Sequence, residues 1–231
     1  MSDKAQRVHG IFSDIAHRYD LANDVISFGV ARFWRSKLVH LSRADKNSKV
    51  LDVATGTGDL AIEFKKTAVS GDVIGVDFCA NMLAPAPQKA KDKNLIVTFK
   101  QGDAMALEFA DSSFDVVSIA YGLRNVSDPS VAVKEMGRVL KPGGRLMILE
   151  TGRSEMPLFA PIFNFYFAKV MPIFGGFLSG SKDAYKYLDA SSRDFPYGQK
   201  LVELIQKTGS FKTVEAVPLF GGISYIYRAT K

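Results

Sequence analysis

Short apolar runs typical of β-strands alternate along this chain with stretches that carry apolar residues at helical spacing, and this alternation limits the fold most strongly. The runs cover residues 49–53, 72–77, 96–100, 114–120 and 145–150. Strands that alternate with helices usually pair in parallel, so the pattern predicts an α/β fold with a doubly wound, mostly parallel sheet. Two later runs, residues 211–219 and 223–229, meet at Gly221-Gly222 and predict an antiparallel C-terminal hairpin, which makes seven strands in all.

The segments around these strands divide the chain into four predicted parts of one domain. Apolar residues at helical spacing before the first strand predict two amphipathic helices, which form an N-terminal helical cap or lid. No linker rich in Pro, Gly or Ser separates the parts. Within the single domain of residues 1–231, the predicted parts are the cap at residues 1–48, a ligand-binding core at 49–150, an apolar lid or insert at 151–198, and a C-terminal helix with the hairpin at 199–231.

The insert contains an apolar, aromatic stretch at residues 156–178. Pro157, Pro161, Pro172 and Gly175-Gly176 interrupt it. A membrane-spanning helix needs about 20 uninterrupted apolar residues, so we expect this stretch not to cross a bilayer. Core packing is its plainer interpretation, although a lid that lies at a membrane interface has the same composition.

Composition excludes several classes of protein. Apolar residues make up 47% and charged residues 23%, which is ordinary for a globular domain and excludes a disordered chain. The single cysteine, Cys79, allows no intrachain disulfide and no Cys-rich zinc module, and we interpret it as a small core residue. His9 and His17 lack the four-residue spacing of a helical metal pair, so no metal site is predicted. Charges throughout residues 1–20 argue against a secretory signal, and we expect a cytosolic protein.

The net charge of +6 is unevenly distributed along the chain. Residues 1–50 carry +4, residues 51–150 carry −2 and residues 151–231 carry +4. The basic residues form no dense stripe with interleaved aromatic residues, so no nucleic-acid partner is expected. Basic flanks of this kind suit transient contact with an anionic membrane surface, although surplus lysine that only keeps a protein in solution gives the same charge.

A glycine-rich loop follows the first predicted strand, in the sequence VLDVATGTGDL at residues 50–60. Gly56 and Gly58 permit a tight turn and a close approach of a ligand to the backbone, and the next helix offers free amides at its start. The loop therefore predicts a nucleotide-type pocket. Because Ala61 completes a G-x-G-x-x-A pattern, the loop alone leaves a nicotinamide dinucleotide open as the ligand.

Carboxylates around this loop indicate which nucleotide-type ligand fits. Asp77 ends the second predicted strand, where a carboxylate can accept both ribose hydroxyls of NAD or of S-adenosylmethionine. Asp52 and Asp59 flank the loop, and two negative charges there repel a pyrophosphate but attract a ligand with an ammonium and a sulfonium group. Charge therefore favours S-adenosylmethionine. After the third strand, Asp103 and the backbone amide of Ala104 suit the exocyclic amine and a ring nitrogen of adenine.

The order of these motifs, followed by FDVV at residues 114–117 and LKPGGRL at residues 140–146, resembles the class I S-adenosylmethionine-dependent methyltransferases. A narrower resemblance, to the ubiquinone/menaquinone biosynthesis C-methyltransferase family of the UbiE/MenG type, rests on a further set of strings. These are FSDIAHRYD at residues 12–20, Trp34-Arg35, GLRNV at residues 122–126, Glu135-Met136 with RVL at residues 138–140, and Tyr187-Leu188. The GLRNV string is far more specific than the glycine loop. The match extends from about Val8 to the C-terminal hairpin.

The narrower resemblance implies methyl transfer from S-adenosylmethionine to a ring carbon of a prenylated quinol. The acceptor would be demethylmenaquinol, 2-methoxy-6-polyprenyl-1,4-benzoquinol, or both. It also implies the Rossmann-like class I fold, with the donor bound by the predicted core. The donor-binding positions of the family fall on Thr57, Asp77, Asp103 and Ala104 of this chain. Some members carry a serine where this chain has Ala120, so a hydroxyl contact with the donor is lost here.

Methylation of a ring carbon requires a neighbouring hydroxyl that is wholly or partly deprotonated, which needs a base or a nearby cation. Arg124 is the candidate for this cation, since its guanidinium stays protonated and can polarise a quinol oxygen or bind a water that takes the proton. Asn125 is the candidate to hold the second oxygen. Tyr19 and Asp20 are candidates to reach over the pocket as part of a lid. Two plainer interpretations stay open: Arg124 pairs with an acid at the sheet edge, and Tyr19 is a core aromatic residue of the cap.

Three functions are compatible with these residues. The first is C-methylation of a prenylated quinol by a cytosolic protein that contacts the inner face of a membrane. The second is O-methylation of a small molecule by a soluble enzyme of the same fold, whose aromatic stretch is plain core. The third is a non-catalytic module that binds the nucleotide-type ligand for regulation. A homodimer or a biosynthetic complex is compatible with each of them.

Overall fold

The sheet that the alternation predicts is present in the computed structural model, which describes residues 3–15, 20, 24, 27, 29–154, 187 and 190–231. Seven strands of this described part form one sheet in the order β3-β2-β1-β4-β5-β7-β6. The strands are β1 Val50–Val53, β2 Val73–Asp77, β3 Thr98–Gln101, β4 Phe114–Ala120, β5 Leu140–Thr151, β6 Thr213–Leu219 and β7 Ser224–Thr230. The seven-stranded α/β fold is therefore confirmed.

Strand directions agree with the predicted mixture of parallel and antiparallel pairs. Strands β1 to β5 pair in parallel. Strand β7 is antiparallel to β5, with Thr151 opposite Ser224, and β6 is antiparallel to β7. The second strand of the hairpin, and not the first, therefore joins the parallel part of the sheet, and β6 forms the edge. Strand β5 begins at Leu140, earlier than predicted, because the LKPGG turn is accommodated as a register shift against β4.

Helices cover both faces of this sheet. Two features set their boundaries: Gly29 precedes the second helix with a φ of 74°, and Asp128 caps another by accepting from the amides of Ser130 and Val131. Between β2 and β3 the helical stretch is divided into two short helices near Pro85. The helices are α1 Asp3–Ile15, α2 Val30–Ser42, α3 Asp59–Thr67, α4 Ala80–Leu83, α5 Ala86–Asp92, α6 Pro129–Val139 and α7 Gln199–Lys207, with 3-10 turns at Leu123–Asn125 and Phe220–Gly222.

The core consists of two apolar clusters, one on each face of the sheet. Neighbouring strand residues contribute to opposite clusters, as the two-residue period of a strand requires: Val116 and Met147 pack on one face, and Val117 and Ile148 on the other. The first cluster includes Leu38 of α2 and Phe64 of α3, and the second includes Met136 of α6 and Leu201 of α7. Burial on both faces explains why the central strands read as continuous apolar runs.

Strand order fixes where a ligand can bind. From β1 the chain proceeds to β2 and β3 on one side of the sheet and then crosses to β4 and β5 on the other. In open α/β sheets the crevice for a ligand lies outside the carboxyl ends of the strands at such a switch point. The glycine-rich loop at the end of β1 and the segment after β4 therefore border the same crevice.

Several predictions concern residues outside the described part of the chain. These are the aromatic stretch at residues 156–178 with most of the predicted insert, and the lid residue Tyr19. The division of the domain into four parts stays a prediction. Among the residues that the structure describes, no helix is both long enough and apolar enough to cross a membrane.

Substitution of two glycines with positive φ, Gly58 in the glycine-rich loop and Gly143 in β5, tests how tightly the loop is packed. A Cβ at Gly58 (φ 84°) would lie 2.8 Å from the Phe99 ring and 2.9 Å from the Ala86 Cβ, whereas a Cβ at Gly143 (φ 77°) would meet nothing within 4 Å. We expect Gly143→Ala to lower the free energy of unfolding by about 1 kcal/mol through backbone strain alone. Gly58→Ala should cost about 1–3 kcal/mol more through overpacking. Urea denaturation measures both, and equal losses would contradict this packing.

Candidate active site

The loop after β1 turns back sharply at the end of the strand. Ala54, Gly56 and Gly58 all adopt positive φ, at 51°, 57° and 84°. A non-glycine residue such as Ala54 rarely takes this conformation, and residues of this kind concentrate at functional sites. The turn directs the Gly56 amide toward β2, where it donates to Asp77 Oδ2 at 2.8 Å. The loop and the end of β2 are thereby joined by one hydrogen bond.

Asp52 holds this loop in place through two hydrogen bonds. The side chain is 1% exposed, and its oxygens accept from Thr55 Oγ1 at 2.6 Å and from Ser118 Oγ at 2.7 Å. Burial raises the pKa of Asp52 to about 6, against the opposite effect of these two hydrogen bonds. Asp52 therefore ties the loop to β1 and β4 and lies outside the cavity that the loop borders, so a direct contact with a ligand stays a prediction.

Asp59, the second carboxylate predicted to attract a cationic ligand, is already paired. It lies at the start of α3, where Lys89 Nζ donates to Oδ1 at 2.6 Å and Arg35 to Oδ2 at 2.9 Å. Burial opposes ionisation, but Arg35 and Lys89 together hold the pKa of Asp59 below its ordinary value. The negative charge of Asp59 is thus balanced by protein cations. Asp52 and Asp59 are therefore not the charges that face the cavity.

A cavity of about 320 Å³ opens at the carboxyl ends of β1 to β4, where the switch point predicts it. Helix α1 forms one wall with Val8, His9 and Phe12, and the ends of the strands form the other. Among the described residues, the acidic side chains that line it are Asp77 and Asp103, and no Lys or Arg does. The cavity therefore favours a ligand with positive charge and disfavours a pyrophosphate. The predicted preference for a cation holds, but a different pair of carboxylates provides it.

Asp77 combines a rigid position with spare hydrogen-bonding capacity. Its Oδ2 accepts from Gly56 and its Oδ1 from the Cys79 amide, both at 2.8 Å. Burial raises the pKa of Asp77, while these amides and the nearby His9 oppose the shift. Each carboxylate oxygen has a second lone pair, so two ribose hydroxyls can still donate to this side chain. The predicted role of Asp77 is compatible with this geometry.

Asp103 and Ala104 line the cavity beside the end of β3. The Oδ1 atom of Asp103 accepts from the Met105 amide at 2.8 Å, which fixes the carboxylate. Gly102 donates its amide to the Asp77 carbonyl at 3.0 Å, so the β3 segment is registered on β2. Apolar Phe78 and Met82, with Asp103, suit an aromatic ring with an exocyclic amine, as predicted for adenine.

The opposite end of the cavity is formed by the segment after β4. Ala120, Tyr121 and Asn125 line it, and Tyr121 adopts a φ of 55°. The Tyr121 carbonyl accepts from Arg124 at 2.7 Å and from Asn125 Nδ2 at 3.4 Å. The Tyr187 hydroxyl donates to Asn125 Oδ1 at 3.2 Å. Asn125 is therefore oriented from two sides at the cavity wall.

Arg124 forms a buried ion pair with an acid at the end of β5. Its NH1 donates to Glu150 Oε1 at 2.6 Å, and the two side chains are 5% and 0% exposed. Glu150 also accepts the Thr151 amide at 2.8 Å. The Nε of Arg124 is buried and has no hydrogen-bond partner among the described residues. The salt bridge left open by the sequence is thus present, with an acid of a central strand, and contact of Arg124 with an acceptor stays a prediction.

Asp20 and Thr57 belong to a separate polar cluster beside the glycine-rich loop. Thr57 is 3% exposed and donates its hydroxyl to Asp20 Oδ1 at 2.5 Å, and Lys89 donates to Asp20 Oδ2 at 2.5 Å. Lys89 also donates to the Thr57 hydroxyl at 3.1 Å. The structure thus brings Asp20 to Thr57 and not to Arg124. This contact joins Asp20 to the glycine-rich loop.

Three residues of this region were not predicted from the sequence. His9 lines the cavity and packs edge-on against the Phe78 ring at 6.0 Å. Its position one helical turn from Phe12 was a usable signal, because both residues then face the same side of α1. Tyr187 belongs to one of the strings that carry the family resemblance, but no local pattern places Tyr187 or Glu150 at the site. Their partners Asn125 and Arg124 lie 62 and 26 residues away in the chain.

Comparisons of the sequence with known proteins identify its family. The profile of the ubiE/COQ5 methyltransferase family matches residues 1–231. The ubiquinone/menaquinone biosynthesis C-methyltransferase UbiE of Bdellovibrio bacteriovorus is 48% identical, covering 99% of this chain and 97% of that protein. The demethylmenaquinone methyltransferase of Deinococcus radiodurans is 44% identical, covering 95% and 90%.

Solved structures agree on the fold. A SAM-dependent methyltransferase from Thermotoga maritima, described as a possible histamine N-methyltransferase, superposes with a TM-score of 0.68 at 22% identity and covers 97% of this chain and 99% of that one. The [4+2]-cyclase SpnF superposes with a TM-score of 0.65 at 18% identity, covering 98% and 96%. A cyclase among these neighbours illustrates that the fold alone does not determine the reaction.

The buried charge of Asp52 predicts a pH-dependent stability. Because its pKa in the folded protein is raised to about 6, the folded state binds the proton more tightly than the unfolded chain, and stability falls as pH rises from about 4 to about 6. Asp52→Asn abolishes this titration. The free energy of unfolding of the variant relative to the unmodified protein should rise by about 2 kcal/mol between pH 4 and pH 7.

Urea denaturation at the two pH values measures this difference. Asp92→Asn, which replaces an exposed carboxylate of α5, is the matched control. A change with pH as large for Asp92→Asn as for Asp52→Asn, or none for Asp52→Asn, would contradict the account of the buried carboxylate.

Proposed function

The chain belongs to the ubiE/COQ5 methyltransferase family, and we propose that it transfers the methyl group of S-adenosylmethionine to a ring carbon of a prenylated quinol. The observation that carries the proposal is the match over the full chain to this family, with relatives named for C-methylation in ubiquinone/menaquinone biosynthesis and for demethylmenaquinone methylation. The proposed acceptors are demethylmenaquinol and 2-methoxy-6-polyprenyl-1,4-benzoquinol.

The lining and the volume of the cavity support S-adenosylmethionine as the methyl donor. S-adenosylmethionine supplies an electrophilic methyl group on a positively charged sulfur. Asp77 and Asp103 give the cavity its negative charge, and the ribose and adenine are the groups that their free lone pairs and the Ala104 amide suit. Phe78, Met82 and Val8 provide the apolar contacts that an adenine ring needs. The volume of about 320 Å³ is at the lower end of the range for small-molecule sites.

For the acceptor, the protein chiefly orients the quinol ring and excludes water from it. Methyl transfer needs the ring carbon in line with the carbon–sulfur bond, and correct orientation can contribute about 7–11 kcal/mol. Asn125 is held by the Tyr121 carbonyl and by Tyr187, so its amide can fix one quinol oxygen at the cavity wall. Arg124 holds the same carbonyl while its own charge is balanced by Glu150. We therefore propose that Arg124 positions Tyr121 and Asn125 at the cavity wall.

The place of action follows from the acceptor. A prenylated quinol partitions into lipid, and the basic flanks of the chain suit an anionic surface. We propose that the enzyme works from the cytosol at the inner face of the membrane. The soluble O-methyltransferase is the alternative that the following assay separates.

Product analysis tests the proposed reaction directly. The full chain is incubated with S-adenosylmethionine labelled with ¹³C in the methyl group and with each quinol in detergent, kept reduced. We expect a product whose labelled methyl is bonded to a ring carbon, because Asn125 holds an oxygen away from the methyl donor. Carbon NMR distinguishes this methyl from a methoxy group. An O-methylated product, or no product from either quinol, would overturn the proposal.

Donor affinity tests the ribose assignment. Asp77→Asn removes the charge that accepts the ribose hydroxyls, and hydrogen bonds to charged groups contribute about 1.5–3 kcal/mol. We expect the Kd for S-adenosylmethionine to rise about 10- to 100-fold in titration calorimetry. Asp115→Asn is the control, since Asp115 accepts the Lys49 amide outside the cavity. An unchanged Kd for Asp77→Asn would show that the ribose lies elsewhere.

A further inference from the structure

Two phenylalanines are exposed on elements that meet at Trp34. Phe33 of α2 is 63% exposed, and Phe220 of the turn between β6 and β7 is 61% exposed. Trp34 is buried between these elements, with its ring centroid 5.8 Å from that of Phe220. Phe33, Trp34 and Phe220 together form what we call the aromatic surface. Side chains of this size are normally withdrawn from water, so their joint exposure calls for a binding partner.

The backbone of the exposed residue Phe220 is strained. Phe220 has a φ of 42°, in the left-handed region that bulky residues rarely adopt. Gly221 and Gly222, which follow it, also have positive φ and would adopt this region without strain in its place. An aromatic residue in a strained and exposed position indicates a function for the ring rather than for the turn.

The aromatic surface lies at the same edge of the sheet as the cavity. Strands β5 and β6 are both antiparallel to β7 and so run in the same direction. The turn that carries Phe220 therefore sits where the parallel strands end and the cavity opens. Tyr121 lines the cavity, and its hydroxyl lies 3.4 Å from Ser224 Oγ at the start of β7, so this contact joins the two places.

Charge near the aromatic surface indicates which partner fits. Helix α2 carries Arg32, Arg35 and Lys37 and no carboxylate. Arg35 is turned inward to Asp59, but Arg32 is 71% exposed even though it pairs with Asp24. Lys37 lies one turn after Phe33, and so on the same side of the helix. Exposed aromatic rings with cations on the same helix are typical of segments that rest at the interface of an anionic bilayer.

We propose that the aromatic surface docks on an anionic lipid bilayer, with Phe33 and Phe220 inserted at the level of the headgroups. The inference rests on the proposed prenylated acceptor, and it explains how that acceptor is reached. With the docked edge and the cavity facing the same side, the ring of the quinol enters the cavity while its prenyl tail stays in lipid. The enzyme therefore collects its substrate without transferring the tail through water.

Sedimentation with vesicles of phosphatidylglycerol and phosphatidylcholine tests this surface in the full chain. The variant is Phe33→Ser/Phe220→Ser. The matched control is Ile96→Ser, because Ile96 is 84% exposed but precedes β3 and so lies at the opposite edge of the sheet. We expect the double variant to lose vesicle binding by at least about tenfold, since it removes most of the inserted apolar area. Ile96→Ser should bind as the unmodified protein does.

Turnover of a quinol without a prenyl tail separates this proposal from the proposed reaction. The double variant should methylate the tail-free quinol at the normal rate, which also shows that it is folded. Normal vesicle binding by the double variant, an equal loss for Ile96→Ser, or no vesicle binding by the unmodified protein would overturn the docking surface. So would a dimer of the unmodified protein that the double substitution dissociates. Failure of the tail-free quinol to react in every form would instead count against the proposed reaction alone.

Discussion

The hydrogen bond from the Gly56 amide to Asp77 is the contact on which the site depends. It holds a left-handed turn at the end of β1 against the end of β2, at the point where the strand order reverses. Asp52 supports the same turn from below through Thr55 and Ser118. The sheet is a rigid base, and the buried carboxylates of Asp52 and Asp77 hold the loop that shapes the crevice. A buried carboxylate costs free energy, so its retention here indicates that the shape of the loop is needed.

The acidic residues of the site have two different tasks, which the sequence alone does not distinguish: some form ion pairs that hold elements together, and others face the cavity. Asp59 and Asp20 are paired with Lys89, and Glu150 with Arg124, so these acids hold elements together. Asp77 and Asp103 keep lone pairs free toward the cavity, and they give it a negative character that suits a sulfonium donor. The reaction itself asks little of the protein beyond orientation and a dry environment, which agrees with a cavity bounded mainly by apolar and backbone groups.

Local features of the sequence were enough to predict the positions of the strands, the glycine-rich loop and the carboxylate at the end of β2. Each depends on spacing within about ten residues, which periodicity and turn chemistry report. The order of β6 and β7 did not follow, because both strands carry the same alternating pattern and only packing selects which one pairs with β5. The same limit applies to the orientation of Asp52. Its position in the sequence is typical of a residue that contacts a ligand, but its hydrogen bonds to Thr55 and Ser118 depend on tertiary packing. Glu150 and Tyr187 meet the site across long stretches of chain, and no local pattern predicts such contacts.

The central claim is that the cavity between α1 and the strand ends holds a positively charged sulfur compound with its reactive carbon facing Asn125. A crystal structure of the full chain with S-adenosylhomocysteine and a quinol analogue tests it most directly. The account predicts the ribose hydroxyls within hydrogen-bond distance of Asp77, the adenine beside Asp103, and the sulfur turned toward a ring that contacts Asn125. A ligand bound outside this cavity, or a ring that faces the sulfur with an oxygen in place of a carbon, would contradict it.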